Sequence, residues 1–553
     1  MLVESQEQLK KLQDELLLAN DPIVIDTETS FVERYQDRWL LGVSLYVNYE
    51  AYYIPVNHQP SVEGLIVNNI KMEPDFFSGI KVPLIFHNAL FDLSVLERAG
   101  FTIPDVPVIC TMMWSHIVNE DYLAGHELSA VSKRYVDKES VKETFLKGRL
   151  KGFGWEQTPP SVMGVYACQD AILPFAIYNV LKPLMVGMEE YWDREFKITK
   201  IMMKMIKKGV LVNRATCREL EIECEKKIDS LIKEIGFDPA KLSISRKKLF
   251  DPPPVGLGLR KTHRTPTGLA QINDDFLAQC EHPITNLIQQ HNHVKKELTS
   301  YYRPYLRLSD DDGHIHAGFK QHGTKTGRWS CADPNLHQIP RKGEIKELFS
   351  AEKNKELWEI DYNNIEWKMA AVYSQDPTLL RFFNNNEDMH MYVANKLVIS
   401  RQDAKIGGFT YLFAGGHNAI MTQLGIAEEP AREFIIGMKE LFPSLEAAKK
   451  RATKTAEANG YIKIWTGRKR HFNDKRQCYT AFNFLTQGGS FEIVKSSMLL
   501  LDAAGFDIRN CVHDSIWLMV DNEDQVKEAE HIMSDWTTES FGLNFSVESK
   551  RLG

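Results

Sequence analysis

The segment CVHDSIWLMV, residues 511–520, constrains the fold more tightly than any other stretch of the chain. Five apolar residues run from Ile516 to Val520, led in by Cys511 and Val512, and such a run reads as a buried strand or hairpin. His513 and Asp514 interrupt it, with Ser515 directly after. A histidine and a carboxylate are costly to bury unless something compensates them. A metal ion, a nucleic-acid end and an ordinary salt bridge are all open at this point.

The rest of the chain supplies the context. Its 553 residues correspond to roughly three to four domains. Residues 1–190 alternate strand-like runs (PIVIDTET, GVSLYV, VPLIFHN) with helical stretches, an α/β pattern. Residues 191–300 read as mostly helical, interrupted by SRKKLFDPPPVGLGLRKTHRTPTG (245–268), expected to be a mobile loop. Strands return at GHIHAGF, LWEIDY and CVHDSIWLMV, with long helices over about 375–457 and 475–505 between them. The N-terminus reads as a short amphipathic helix with Leu9, Leu12 and Leu16 on one face, and its charges exclude a signal peptide. No run of 18 apolar residues is present, which excludes a transmembrane helix. Eight cysteines without a CxxC pair argue for a reducing cytosol and against a zinc module. A net charge of −7 does not advertise nucleic-acid binding, although local basic patches can still provide it.

IVIDTET places Asp26 and Glu28 at the end of an apolar strand, two residues apart and so on one face. Paired carboxylates there suit a hard divalent cation; surface charge at a strand end is the plainer alternative. IFHNALFD adds Asn88 and Asp92 after another apolar run, and YACQD sets Tyr166 one helical turn before Asp170. Four carboxylates and a tyrosine could hold two metals ~3.5–4 Å apart and position a phosphodiester for in-line hydrolysis.

The order DxE, N-x2-F-D, Y-x3-D resembles the three motifs of the DEDDy 3′→5′ proofreading exonucleases, which have a ribonuclease-H-like fold. The resemblance implies that Asp26, Glu28, Asp92 and Asp170 are metal ligands and that Tyr166 orients the attacking water. All five positions match, so an active nuclease is expected.

A second block, TKTGRWSCADPNLHQIP (324–340), is similar to the signature T-x-T-G-R-L-S-S-x-x-P-N-L-Q-N-I-P of family A DNA polymerases, with His337 and Gln338 departing from it. Arg328 would then contact the primer terminus in the minor groove. EIDYNNIEWKMAA resembles motif A, D-Y-S-Q-I-E-L-R. It implies that Asp361 and the backbone of Tyr362 bind metal and that Glu366 excludes a ribose 2′-OH.

In RQDAKIGGFTYLFAGG, Arg401, Lys405, Phe409 and Phe413 recur at four-residue steps, one stripe of two cations followed by two aromatics. Ordinary core packing would seldom include both cations; a nucleotide triphosphate explains them better. The stretch looks like the fingers-helix motif R-x3-K-x3-F-x3-Y-G, which makes Lys405 the acid that protonates pyrophosphate. Phe409 in place of Tyr implies discrimination against dideoxynucleotides. Phe413 and Ala414 replace the motif's Tyr and Gly, at positions that serve template stacking. DMH is similar to D-I-H and makes His390 a phosphate contact, with a purely structural role as the alternative. TAFNFLTQGGSFEIVK resembles the helix that carries Asn483 and Gln487 near template and primer. TGRKRHF, with Arg468 and Arg470, reads equally as a phosphate-binding loop and as a solvated charge cluster.

VHDS then looks like motif C, V-H-D-E. Asp514 becomes the second metal carboxylate, opposite Asp361, and His513 a contact to the primer-terminal phosphate. Ser515 stands where the family has Glu, so an active polymerase with altered metal preference is expected.

The resemblance therefore implies a multidomain chain: an α/β ribonuclease-H-like exonuclease domain plus an α+β right-hand polymerase. The expected divisions are exonuclease 1–190, a mainly helical thumb 191–310, palm 311–375 and 475–553, and fingers 376–474. Expected cofactors are two Mg²⁺ per active site, with Mn²⁺ as a substitute. Expected partners are primer–template DNA and dNTPs, with replisome proteins (helicase, single-strand-binding protein, processivity factor) left unassigned. No membrane association, a monomer, and a bacterial or phage-infected cytoplasm are also expected. Asp26 lies so near Met1 that a 5′-nuclease domain is not expected, which fits a phage-type replicative enzyme. Three rivals stand beside this reading: a nuclease with a degenerate polymerase half, a single-subunit RNA polymerase, and a non-catalytic DNA-binding scaffold.

Overall fold

The apolar run at 23–25 becomes the centre of a five-stranded sheet. β1 (Ile23–Thr29) lies between β2 (Leu40–Val47) and β4 (Leu84–Phe86), with β3 (Glu50–Pro55) and β5 (Val108–Cys110) outside them in the order β3-β2-β1-β4-β5. β1 runs antiparallel to β2 and parallel to β4. Ile23, Val24 and Ile25 are fully buried, as expected for a strand covered on both faces. Helix Gln6–Leu18 starts where the Ser5 hydroxyl accepts from the Gln8 amide, and it turns Leu9, Leu12 and Leu16 inward as their spacing predicts. Helix Pro160–Leu181 opens on a proline, whose missing N–H costs nothing there, and packs across β1, β2 and β3.

The computed structural model describes residues 1–30, 34–60, 67–138, 154–261, 264–265, 267–341 and 343–552. The chain forms two units: Met1–Lys208, Gly318–Cys331 and Glu352–Arg551 make the first, and Gly209–Ala317 with Ala332–Ala351 make most of the second.

The second unit is mainly helical. β6 (Val210–Leu211) pairs antiparallel with β7 (His314–Ile315) at its base. Helix Arg214–Ile235 is capped by the Asn213 side chain, ends at Gly236 (φ 82°), and packs on helix Pro283–Glu297. The stretch expected to be a loop divides. Ser245–Phe250 belongs to helix Leu242–Phe250, since LSISRKKLF lacks a helix breaker until Pro252, while 251–261 is irregular. Residues 262, 263 and 266 of that stretch lie outside the described residues.

The later parts of the first unit build a second sheet. β8 (Gly318–Lys320) pairs with β9 (Ser330–Ala332). β10 (Glu356–Tyr362) is followed by a hairpin of β11 (Tyr461–Lys463) and β12 (Lys469–His471), then by β13 (Asp507–Val512), β14 (Ser515–Val520) and β15 (Val547–Leu552). The sheet order is β13-β14-β10-β15, so the opening segment of the sequence is a hairpin whose first strand lies at one edge of this sheet and whose second lies inside it, beside β10. The long helix expected over 375–457 is instead six: Pro377–Asn384, Met389–Leu397, Arg401–Leu412, His417–Leu424, Glu428–Leu441 and Pro443–Asn459. The breaks have local causes. Asp376, Asp388 and Ser400 side chains cap three N-termini, Gly425 ends one helix at φ 64°, and Pro443 opens the last. The helix expected at 475–505 is present as Ala481–Ala503.

Candidate active sites

The first carboxylate cluster forms at the first sheet. Asp26 and Glu28 extend from β1, Asp92 from helix Ala89–Arg98, and Asp170 from helix Pro160–Leu181 with Tyr166 one turn before it. Asp92 Oδ1 accepts from the Thr27 amide (3.2 Å) and hydroxyl (2.7 Å), which fixes that helix to the strand. The Ser44 hydroxyl, on the paired strand, donates to Asp26 (3.2 Å), and Tyr166 hydrogen-bonds Asp170. Burial, then Asp92, Glu28 and Asp170 in turn, raises the Asp26 carboxyl well above the usual range. Burial pushes Asp92 up to about 7 and Asp170 to about 6. Asp170 Oδ1 is buried without a hydrogen-bond partner. Four crowded carboxylates, of which Asp26, Asp92 and Asp170 resist ionisation, and an orphaned carboxylate oxygen fit a hard divalent cation. Among the described residues no three such side chains already stand in closed metal-binding geometry.

This cluster makes a pH prediction. Carboxyls that hold protons up to pH 6–7 must release them when a cation binds, so cation affinity rises with pH. For each proton displaced from Asp92 or Asp170, Mn²⁺ affinity is expected to rise up to about tenfold per pH unit through pH 6–7. Calorimetric titration of wild type and Asp26→Ala isolates this site; equal affinity at pH 5.5 and 7.5 would refute the assignment.

Two residues of this site carry no sequence signal. Tyr53, fully buried on β3, lies close enough to Glu28 and Asp26 that their charges, after burial itself, raise its phenol. Its ring fills the space over Gly42, where a Cβ would stand 2.2 Å from the Tyr53 hydroxyl oxygen. His58 Nδ1 lies 2.8 Å from the Thr158 carbonyl, which can only accept. That fixes the tautomer: Nδ1 carries the proton, and Nε2 accepts from the Tyr53 hydroxyl at 2.7 Å. Burial keeps His58 neutral by lowering its pKa.

The second cluster sits on the other sheet. β10 and β14 pair antiparallel with Asp361 opposite Ser515, and the Tyr362 amide donates to the Asp514 carbonyl (3.3 Å). Asp361 and Asp514 therefore share one end of the sheet. Val512 pairs with Ser515, leaving His513 and Asp514 as a two-residue hairpin tip, with His513 at φ 57°. A non-glycine residue there is strained, a feature that concentrates at functional sites. The Tyr362 hydroxyl donates to the Met533 carbonyl (2.6 Å) and accepts from Ser497 (2.8 Å), anchoring the strand end. The Arg328 guanidinium donates through Nη2 to Glu366 (2.6 Å) and Asp514 (3.3 Å). A cation held between these carboxylates shows that the cluster attracts positive charge, as a divalent-metal site must.

The stripe predicted from four-residue spacing lies on helix Arg401–Leu412, with Phe413 at its C-cap. Arg401 Nε donates to Asp388 (2.6 Å). His390 is buried and neither ring nitrogen has a hydrogen-bond partner. Burial, opposed by Asp388 and assisted by Lys405 and Arg401, lowers its pKa to about 4. The Phe409 ring lies 5.9 Å from Phe413, 6.0 Å from His390 and 6.1 Å from Trp367. Nothing in the sequence singles out Trp367, which is fully buried behind the stripe. Asn483 Nδ2 donates to the Phe413 carbonyl (2.7 Å), and Gln487 is half-buried one turn further on. Ala414 takes φ 62°, the left-handed region that glycine occupies without a Cβ penalty. Ala414→Gly is therefore expected to stabilise the protein by about 0.5–1 kcal/mol, read as a higher urea midpoint at unchanged m-value.

Arg468 and Arg470 are placed differently from the expectation. Two residues apart on the β11–β12 hairpin, both point inward and are buried. Arg470 Nη1 contacts Glu120 (3.0 Å) and Asp121 (3.1 Å), and Asp121 also pairs with Lys325. Arg468 lies in the field of Tyr191, Glu492 and Glu195, over Gly327 of the TKTGR block, where a Cβ would stand 2.0 Å from its Nη1. Arg470 is thus paired with carboxylates, while Arg468, near Glu492 and Glu195, keeps a buried Nη2 without a hydrogen-bond partner; both are buried rather than on an exposed basic loop. A run of basic residues does not reveal which face it presents.

Residues 214–550, more than half the chain, match the model of DNA polymerase family A. The chain belongs to DNA polymerase family A. Residues 1–185 match a 3'-5' exonuclease model. The DNA polymerase of Mycobacterium phage L5 is 22% identical over 96% of this family A chain and 92% of its own length. DNA polymerase I of Synechocystis sp. is 27% identical over 84% of this chain and 49% of its own, and that of Pseudomonas aeruginosa 24% over 94% and 61%. The chain thus spans about half the length of several bacterial relatives it matches. The solved POL domain of Pol1 from M. smegmatis, in complex with DNA primer-template and dNTP, shares the fold with TM-score 0.78 at 20% identity, covering 100% of this chain and 98% of that one. Family A polymerase and exonuclease domains generally use divalent metals. No helix among the described residues is long and apolar enough to cross a membrane.

Proposed function

We propose that this chain is a template-directed DNA polymerase that extends a primer 3′-OH with dNTPs and removes misincorporated 3′ ends by hydrolysis. The observation that carries the reading is the pair of separate carboxylate clusters on two sheets, one of them accompanied by a helix stripe of cations and aromatics. The M. smegmatis relative was solved with DNA primer-template and dNTP, which supports the same ligands here.

Asp361, Asp514 and the Tyr362 carbonyl would hold two Mg²⁺ at the polymerase centre, and Asp26, Glu28, Asp92 and Asp170 two at the exonuclease centre, with Mn²⁺ able to substitute. When bound, such ions polarise phosphoryl oxygens and favour the deprotonated form of a bound hydroxyl or water. Arg401, Lys405 and His390 take the triphosphate, and Lys405 delivers a proton to the departing pyrophosphate. Phe409 lies under base and sugar, and its lack of a hydroxyl disfavours dideoxynucleotides. Glu366, held by Arg328, occupies the space of a 2′-OH. Arg328 exchanges its carboxylate partners for the primer terminus when DNA enters. His513 contacts the primer-terminal phosphate; Asn483, Gln487 and Phe413 serve the template side. Tyr166 orients the hydrolytic water. The second unit acts as thumb, the β10–β14 sheet as palm and the helices after Pro377 as fingers. Helicase, single-strand-binding protein and a processivity factor remain candidate partners in a bacterial or phage-infected cytoplasm.

The test is a gel assay with Mg²⁺ on a 5′-labelled primer annealed to a longer template. Shortening without dNTPs and extension with them, at least about 100-fold better than with ribonucleotides, supports the reading. Shortening alone leaves a nuclease with a degenerate second half.

A further inference from the structure

Motif C lacks its carboxylate at Ser515, yet a carboxylate reaches that place from the neighbouring strand. Glu359 stands on β10 two residues before Asp361, on the same face, with Trp517 directly opposite. Its side chain does not stay above Trp517. It leans along the sheet to the diagonal neighbour, where Ser515 Oγ donates to Glu359 Oε1 at 3.1 Å. The diagonal separation in an antiparallel pair is ~7–8 Å between backbones, within reach of a glutamate but not of a serine. The Trp517 indole N–H donates to the same oxygen at 3.2 Å, so two side chains hold the lean. Ser515 and Trp517 are both buried, and the Ser515 hydroxyl also lies 3.0 Å from the Val512 carbonyl, at the hairpin that presents Asp514.

Ser515 lies opposite Asp361 in the register. The Glu359 carboxyl therefore lies at the tip of residue 515, on the face shared with Asp361 and beside the hairpin of Asp514. A glutamate at 515 would project its own carboxylate toward the same region from the other strand. We infer that Glu359 supplies, from β10, the third carboxylate of the polymerase centre. It acts as a positioning residue: hydrogen-bonded to Ser515 and Trp517, it adds negative charge behind Asp361 and Asp514 and raises the centre's affinity for divalent cations. Ser515 is then the hydroxyl that seats this carboxylate rather than a gap in the motif. The inference rests on the polymerase reading for the use made of the site, but not for the cation affinity itself.

The experiment uses the full chain carrying Asp26→Ala, which disables the exonuclease cluster. Four proteins are compared: this parent, Glu359→Gln, the swap Glu359→Ser with Ser515→Glu, and Asp361→Asn to identify the polymerase-site signal. Each is titrated with Mn²⁺ by calorimetry and assayed for primer extension across Mg²⁺ concentrations. Residues that orient metal ligands commonly control affinity by 10–100-fold. Glu359→Gln is expected to weaken Mn²⁺ binding at the Asp361-dependent site by about tenfold and to raise the Mg²⁺ midpoint of extension by a similar factor. The swap is expected to return both to within about threefold of the parent. Parent-like Mn²⁺ affinity and Mg²⁺ midpoint in Glu359→Gln would overturn the proposal, as would a swap that restores neither while its melting temperature matches the parent. A side chain needed only for packing would lower the melting temperature without moving the Mg²⁺ midpoint. A parent that does not extend primers refutes the polymerase reading, and the Mn²⁺ titration still decides the role of Glu359.

Discussion

Asp514→Asn is expected to lower primer extension by at least about 10³-fold, or ~4 kcal/mol of transition-state stabilisation, while leaving primer shortening within about twofold. The substitution keeps the shape of the side chain, and its amide oxygen can still accept from Arg328 Nη2, now at 3.3 Å. The hairpin tip is set by the Val512–Ser515 pair and the Tyr362 amide, neither of which needs the carboxylate. What is removed is one of the two negative charges that share this end of the sheet. Asp26→Ala should do the converse, ending shortening and sparing extension. The two variants separate cleanly only if the clusters are independent centres. Parallel loss of both activities in either variant would instead mean one shared site or a general loss of structure.

The second large effect concerns stability. Lys495, on helix Ala481–Ala503, is fully buried and forms ion pairs with Glu195 and Glu492, both of them also buried. Glu195 lies on helix Glu189–Lys208, so the lysine joins the helix that leaves the first sheet to the helix behind the second. Around them Gln321 donates to Glu195 (2.8 Å), Tyr191 donates to Glu492 (3.0 Å), and Arg194 pairs with Glu492 (3.3 Å). Burial opposes ionisation of Glu195, but Lys495, with Arg468 and the Gln321 hydrogen bond, more than offsets it and lowers the carboxyl to about 2. Lys495→Met keeps the length of the chain and removes the charge, leaving Glu195 without its ion-pair partner. Breaking a buried pair from one side costs ~3–5 kcal/mol, so a clear fall in urea midpoint is expected. Adding Glu195→Gln should recover part of that loss, because the uncompensated charge is then gone. A Lys495→Met protein as stable as wild type would show that water reaches the pair.

Much of both centres was legible in the sequence because it follows from local periodicity. Asp26 and Glu28 share a face through the two-residue period of β1, and Tyr166 and Asp170 through one helical turn. The Arg401–Phe413 stripe was readable for the same reason. What escaped depends on partners far along the chain. The lean of Glu359 toward Ser515 spans 156 positions and requires the β10–β14 register. Tyr53 reaches the first cluster only because β3 pairs with β2, leaving its ring over Gly42. The inward turn of Arg468 and Arg470 is decided by Glu120, Asp121 and Tyr191, residues that no reading of TGRKRHF alone can supply.

The discontinuity of the first unit also sets a timetable for synthesis. Its first sheet is complete once Cys110 has been made, whereas the second cannot close until β13–β15 emerge, some 400 residues later. At ribosomal rates of ~5–20 residues per second, that interval is roughly 20–80 s. For much of it the nascent N-terminal portion carries Glu120 and Asp121 before Lys325, and later Arg470, has been made. A translation pause or truncation after helix Pro160–Leu181 would therefore present the first sheet and its carboxylate cluster with a bare acidic patch, ready for whichever basic surface arrives first.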